Sequence, residues 1–291
     1  EEPEQPPDAY INDSFITSSG ALIINNDVDY DPNNKVYYSG YFGDYTVGGQ
    51  VINKEFVTEP KYKSAASPEV FEKATYQELQ YTGATEDRPL SNWNITNGQY
   101  WAAKASFSGT KISVANNTVL LIGEQLGIGY MLYKNFLTMD NVEITVPKGK
   151  TLEFIICDYG TIKDYDNVVL KNITIKGGGQ VSFISGGSIA VNSIKSVDNS
   201  RILFIANKNL NMSDPFINAD KQLDGGCFLS SAGNMQMLVS SNAAAAFYGQ
   251  MQSAGLISIG GQSGGTGKLV LRFNKIGEKL KMPNMYYLKA A

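Results

Sequence analysis

Histidine is absent from all 291 residues. That excludes Ser-His-Asp and Cys-His nucleophilic catalysis, His general bases and His-ligated metals. The chemistry left to the chain belongs to carboxylates, Lys, Arg, Tyr and flat aromatic rings. Three aromatic clusters are the leading candidates for ligand contact. Trp93, Tyr100 and Trp101 lie in polar, turn-rich sequence, which holds both tryptophans of the chain. Tyr30, Tyr37, Tyr38, Tyr41 and Tyr45 form a second cluster. Tyr130, Tyr133 and Phe136 follow Gly127 and Gly129 as a third. An aromatic ring stacks on the apolar C–H face of a sugar while its edge stays wet, at about 1 kcal/mol per contact. A row of rings along a polymer gains through multivalency. The competing role for each ring is packing within the domain.

The carboxylates make weaker cases. Asp27-Val28-Asp29-Tyr30-Asp31-Pro32-Asn33 is spaced like the start of a calcium loop. Pro32 stands where such a loop needs Gly and no Glu closes it, so a solvated turn is expected. Asp158, Asp164 and Asp166 are a second place where calcium is conceivable. Glu143 and Glu153, on neighbouring strand-like runs, are the candidate pair for polysaccharide cleavage. The sequence has no Asp-Asp pair beside them, and cross-strand surface charges explain them more simply. No catalytic residue, cofactor or metal is assigned. Cys157 and Cys227, the two cysteines, are either small buried side chains or a disulfide. Without His they do not complete a usual zinc site.

What must position these residues is a β architecture. From Val119 to Asn274 short apolar runs follow one another, each ended by Gly, Asn, Asp or Ser. Examples are Val119 to Ile122, Leu152 to Ile156, Val168 to Ile175, Val181 to Ile184, Ile202 to Ile205 and Leu269 to Phe273. Their Val, Ile and Phe content reads as strand. Ala21 to Asn26, Lys35 to Gly40, Tyr45 to Gly49 and Gln50 to Asn53 repeat the pattern earlier. Near-continuous apolar runs, rather than strict alternation, favour parallel strands buried on both faces. Parallel strands without crossover helices imply a right-handed parallel β-helix, a β-solenoid, in which each rung stacks on the last. A β-sandwich or barrel is the rival. No fixed repeat motif is evident, so a solenoid here is a degenerate one. One helix is predicted, from Ser67-Pro68-Glu69 to about Gln80, capped by Ser67. The domain reading is a linker or extended segment over 1–18 and a single domain over 19–291. Within it, 82–118 reads as a loop-rich insertion.

Composition narrows the partners. Net charge is −4 and charged residues make up 18%, below the usual quarter. The 24 basic residues are scattered, which argues against nucleic acid. No apolar stretch reaches membrane-spanning length. The opening Glu1-Glu2-Pro3-Glu4-Gln5-Pro6-Pro7 reads as the end of an acidic, Pro-rich linker. A mature or excised domain with its targeting segment upstream is expected. The Asn- and Gly-rich balance is similar to that of extracellular bacterial surface proteins.

Two stretches carry a family resemblance. Ala243-Ala244-Ala245-Ala246-Phe247-Tyr248-Gly249, running through Leu256-Ile257-Ser258-Ile259-Gly260-Gly261, resembles a rung of PilX-type, polymer-forming-like proteins associated with type IV pili. The early strands over 20–53 followed by a helix over 67–80 come in the order those proteins show. Within that neighbourhood the chain is similar to the tāpirins, cell-surface adhesins with a β-helical domain that binds cellulose. The resemblance implies a non-catalytic, extracellular, cell-surface adhesin for insoluble plant polysaccharide, with pilus or cell-surface proteins as further partners. It transfers no binding residue by motif. Two other classes stay open: a structural pilus-associated or fibre module, and a β-helical polysaccharide lyase or hydrolase.

Overall fold

The structure is a computed structural model of the chain. It describes residues 15–18, 20–31, 36–38, 45–51, 77–78, 92–95, 99–102, 104–122, 136–156, 166–217, 224–240, 244–261 and 267–281. The fold is mainly β. Among these residues 24 strands join in one hydrogen-bonded sheet. Strand pairs with strand in parallel throughout, except where Gln50–Val51 folds back antiparallel on Tyr45–Val47.

The pairings sort into three parallel ladders, giving a solenoid-like stack. The first runs through Gln99–Ala102, Thr118–Ile122, Thr151–Ile156, Gln180–Ser185, Arg201–Ala206, Gly226–Ser231 and the end of Ala244–Ser253. The second runs through Ala105–Ser108, the first halves of Leu137–Thr145, Asp166–Lys176, Ser188–Ser196 and Leu210–Ile217, then Met235–Val239 and Ile257–Gly261. The third takes Asn92–Ile95, Lys111–Val114, the second halves of those long strands, the start of Ala244–Ser253 and Lys268–Phe273. The strands at 92–114 thus lie within the stretch that reads as loop-rich in sequence. They are short, and their polar residues hide the period.

Register puts like side chains above one another. Leu120, Phe154, Phe183, Phe204, Leu229 and Met251 share one column of the first ladder, all buried. Phe154, Phe183 and Phe204 stack nearly parallel with centroids 5.1 Å apart. The apolar columns of all three ladders meet in one buried cluster. The first ladder is buried on both faces, which explains why its runs are near-continuous in Val, Ile and Phe, while outer positions of the other two ladders alternate with the core.

Corners set the coil. Between the second and third ladders, Gly109, Asn141, Asn172, Ser193 and Asp214 occupy equivalent positions with φ between 48° and 61°. Left-handed backbone is tolerated by Gly, Asn and Asp, so the corner is written in those residues with one Ser. Between the first and second ladders the motif is Ser-x-Gly, at Ser231 and Gly233, Ser253 and Gly255, and Ser18 and Gly20. Each Ser hydroxyl donates to a carbonyl of the neighbouring coil: Ser231 to Lys208 at 2.7 Å, Ser253 to Gly233 at 2.7 Å, Ser18 to Gly255 at 3.1 Å. A Cβ on any of these glycines would meet that coil's backbone. The stack therefore does carry a repeat. It is confined to corners separated by unequal numbers of residues, which conceals it in the sequence.

The N-terminal strands do not start the stack. Ile16–Ser18, Leu22–Ile24 and Val28–Tyr30 pair with Met251 to Ser253, Ile257 to Ile259 and Leu269 to Leu271. Val36–Tyr38 and Tyr45–Val47 then add on their far side. The N-terminal coil is the continuation of the C-terminal one. Gln77–Glu78 pairs with Tyr100 and Trp101 at the opposite end.

Two expectations are corrected, and the open choice for Cys227 is narrowed to a buried side chain. The predicted helix does not reach Gln80, because Gln77 and Glu78 are extended; residues 67–76 lie outside the described set. Pairing with Trp101's strand overrides the local helical signal. Val28–Tyr30 is a strand of the third ladder rather than a turn, and its Asp29 pairs with Arg272. Cys227 is a free, fully buried thiol, which burial holds well above its ordinary pKa. Its column-mates are Ile202 and Gly249. Cys157 lies outside the described residues.

Candidate functional site

The outward-facing sides of the ladders differ in chemistry. That of the first ladder is buried. Glu153, Ser182, Leu203 and Phe228 form one outer column there, and Ile155, Ile184, Ile205 and Ser230 the next. The C-terminal segment 274–281 lies against this side. Gly277 N donates to Gln250 Oε1 at 2.8 Å, and Arg201 Nη1 donates to Lys279 O at 2.8 Å. Gln180 clamps Lys281 twice, donating Nε2 to its carbonyl and accepting its N–H, both at 2.7 Å. Lys279 pairs with Asp224 at 3.2 Å. Glu153 is no surface charge. It is 7% exposed, and burial pushes its carboxyl up to about 7, opposed by nearby Lys281.

The third ladder is a charged side. Glu143 pairs with Lys176 at 2.8 Å, which holds the Glu143 carboxyl below its ordinary range. Lys195 Nζ lies 5.9 Å from the ring centroid of Phe216. Arg272 and Asp29 meet at 2.6 Å. Glu143 and Glu153 thus belong to different ladders and do not converge on one scissile bond.

The second ladder carries a groove of about 340 Å³. Its floor has two columns. One is Val169, Ala190, Asn211 and Gln236; the other is Lys171, Asn192, Ser213 and Leu238. The small side chains of Ala190 and Ser213 sit between longer neighbours, and this difference in reach makes the hollow. Lys171, Asn192, Asn211 and Gln236 are exposed and cross the floor as a diagonal polar stripe. Val169, Ala190 and Leu238 flank it as apolar ground. Rungs repeat at about 4.8 Å, and same-face residues along a strand at about 6.7 Å. Each amide offers both a donor and an acceptor. Such a surface suits a neutral, hydroxyl-rich chain lying across the rungs. Lys171 is the one ionisable side chain among the lining residues, so the groove holds no acid–base pair. Farther along the same ladder, Thr138 donates to Ser106 Oγ at 2.8 Å. Among the described residues no group of three or more His, Cys, Asp or Glu could hold a metal ion. Nor is any helix there long and apolar enough to cross a membrane.

The aromatic candidates are not gathered at this groove. Trp93 takes the register position of Ile112. Tyr100 and Trp101 take those of Leu120 and Leu121. Tyr37 and Tyr38 pair with Thr17 and Ser18 at the other end of the first ladder. The path from Gln99–Ala102 to Val36–Tyr38 is eight rung steps by the order given above, roughly 38 Å. Tyr41, Tyr130, Tyr133, Asp158 and Asp164 lie outside the described residues. Tyr30 and Phe136 are part-buried and packed on the core, with the Tyr30 ring 6.0 Å from Phe15. The groove residues were missed because Asn and Gln read as turn formers. The usable signal was Val191-Asn192-Ser193 and Leu210-Asn211-Met212-Ser213, where polar residues alternate with core residues.

The chain matches no protein-family model, no curated protein and no solved structure.

Proposed function

We propose that the three ladders close into a right-handed parallel β-helix that serves as an extracellular, non-catalytic adhesin domain for insoluble plant polysaccharide, cellulose first. The closure is supported by the single buried cluster that all three ladders share. The observation that carries the binding role is the groove of the second ladder, with its stripe of Lys171, Asn192, Asn211 and Gln236 over apolar ground. Amides on a rigid rung spacing bind hydroxyls without having to be ordered first, which lowers the cost of association. Trp101 and Tyr37, which take outer register positions at the two ends of the first ladder, are the proposed stacking contacts. Pilus or cell-surface proteins are the second class of partner.

The test is a pull-down on microcrystalline cellulose and other insoluble plant glycans. Asn192→Ala with Asn211→Ala and Gln236→Ala should weaken retention at least tenfold. Trp101→Ala with Tyr37→Ala should weaken it independently. Retention by no glycan would sink the adhesin reading in favour of a structural module making protein contacts. Reducing sugar or unsaturated product released from pectin or cellulose would overturn the non-catalytic assignment.

A further inference from the structure

The stack ends where its own N-terminal coil stands in for the next repeat. Residues 16–30 sit on 251–271 through three parallel pairings in register. Met251 N donates to Phe15 O at 2.9 Å, Ile257 N to Ala21 O at 2.9 Å, and Asn25 N to Ile259 O at 2.9 Å. The Ser18 hydroxyl reaches Gly255 O across 237 positions of sequence. Arg272 pairs with Asp29 at 2.6 Å, and the Phe15 ring lies 5.8 Å from Phe273.

None of these contacts requires that the coil and its seat belong to one chain. We infer that this end of the stack is an interaction surface for the N-terminal coil of a second copy of the chain, which enters in place of the resident coil. Three observations carry this. The seat is specific for a coil of this kind, because Ser18 and Gly20 repeat at the joint what Ser253 and Gly255 do one coil below. On the far side of the seated unit Gln50–Val51 pairs antiparallel with Tyr45–Val47 and covers the edge of that strand. Val51 belongs to this cap, and Gln77, the next described residue, pairs at the opposite end of the stack.

The 25 residues of sequence over 52–76 have a contour length of roughly 85 Å. The stack it must span is roughly 40 Å long at the rung spacing. The surplus lets the cap reach the seat of a neighbouring copy. Exchanged and resident arrangements make the same contacts, so concentration decides between them. Donor and seat are different surfaces of one chain. Reciprocal exchange therefore closes a dimer, and one-way exchange extends a row. The inference does not depend on the glycan-binding reading.

Ile23 and Ser258 are register partners on neighbouring strands and supply the test. In a Cys157→Ala/Cys227→Ala background, one full-length chain carries Ile23→Cys and a second carries Ser258→Cys. The two are mixed in denaturant, refolded together at rising concentration and oxidised. The expected result is a disulfide-linked heterodimer whose yield grows with concentration. It should disappear when a chain with both cysteines is oxidised at high dilution before mixing. The unsubstituted chain refolded alongside should scatter light at multiples of 31.7 kDa and return to one chain after refolding at high dilution. Monomers at every concentration overturn the inference, as do oligomers that never form the Ile23–Ser258 cross-link.

Discussion

Glu153 is the residue whose setting departs furthest from its type. Its carboxyl moves from an ordinary 4.5 up to about 7 because its outer column is covered. The sign follows from linkage: the neutral form is favoured on folding. Stability is therefore fully present below pH 4.5, is lost between 4.5 and 7, and stays lost above. The window is worth about 3 kcal/mol at most. Glu153→Gln should remove that slope and raise the urea midpoint above pH 7, while leaving it nearly unchanged at pH 4. A midpoint with the same pH slope in both proteins would refute this. In the sequence Glu153 reads as a surface charge, since its neighbours Leu152 and Phe154 alternate with it like a half-exposed strand. Nothing local reveals that residues 274–281 lie across that side. The corner glycines make a second case. Gly255→Ala would drive a methyl group into the backbone of Gly233. It should cost about 1–3 kcal/mol, measured by denaturant unfolding, whereas Gly149→Ala, where the space is open, should cost only the backbone strain of its positive φ, about 1 kcal/mol. At Gly149 φ is +78°.

At the scale of elements, the first ladder is a sheet buried on both sides, and each side depends on a different partner. The inner side depends on the Phe154, Phe183 and Phe204 stack. Phe183→Ala should cost about 3–5 kcal/mol and lower the thermal midpoint of the whole domain. The outer side depends in part on the C-terminal segment. Gln180→Ala deletes both hydrogen bonds to Lys281, at about 1 kcal/mol each. It should speed amide exchange at Gly277 and Lys281 more than in the ladders. Equal acceleration everywhere would show that the segment is not a separate unit. Most strands from Thr118 to Phe273 are legible, the first-ladder ones best, because β-branched and aromatic runs buried on both sides leave a strong trace; Leu210–Ile217 is not, since its outer positions are polar. The strands Asn92–Ile95, Gln99–Ala102, Ala105–Ser108 and Lys111–Val114 left none, since four-residue strands with polar outer positions look like loop. The Ser67-Pro68-Glu69 start lies outside the described residues, and by Gln77 the chain is in ladder pairing.

Across the whole molecule, a stack of coils holds each unit mainly by its neighbours. Leu22→Ala in the end coil should accelerate exchange at Leu22–Ile24 and Ile257–Gly261 while leaving Thr151–Ile156 protected. Uniform loss of protection would mean that the stack unfolds as one block. The end coil pairs with strands more than two hundred residues away, a non-local contact of the kind that slows folding. It is also the part of the architecture least visible beforehand. Ser18, Gly20, Leu22 and Ile24 do match Ser253, Gly255, Ile257 and Ile259 in type and order, but a one-dimensional reading has no reason to join the two ends of a chain.

The sequence alone determined a parallel, mainly β stack without His chemistry, because recurring runs of Val, Ile and Phe and the absence of a residue type are written directly in composition and pattern. Only the tertiary structure decided which coil follows which, which ladder is covered, and that exposed amides rather than gathered rings line the groove. Those outcomes depend on residues far apart in sequence meeting across rungs, and spacing along the chain does not encode spacing across a stack whose coils differ in length.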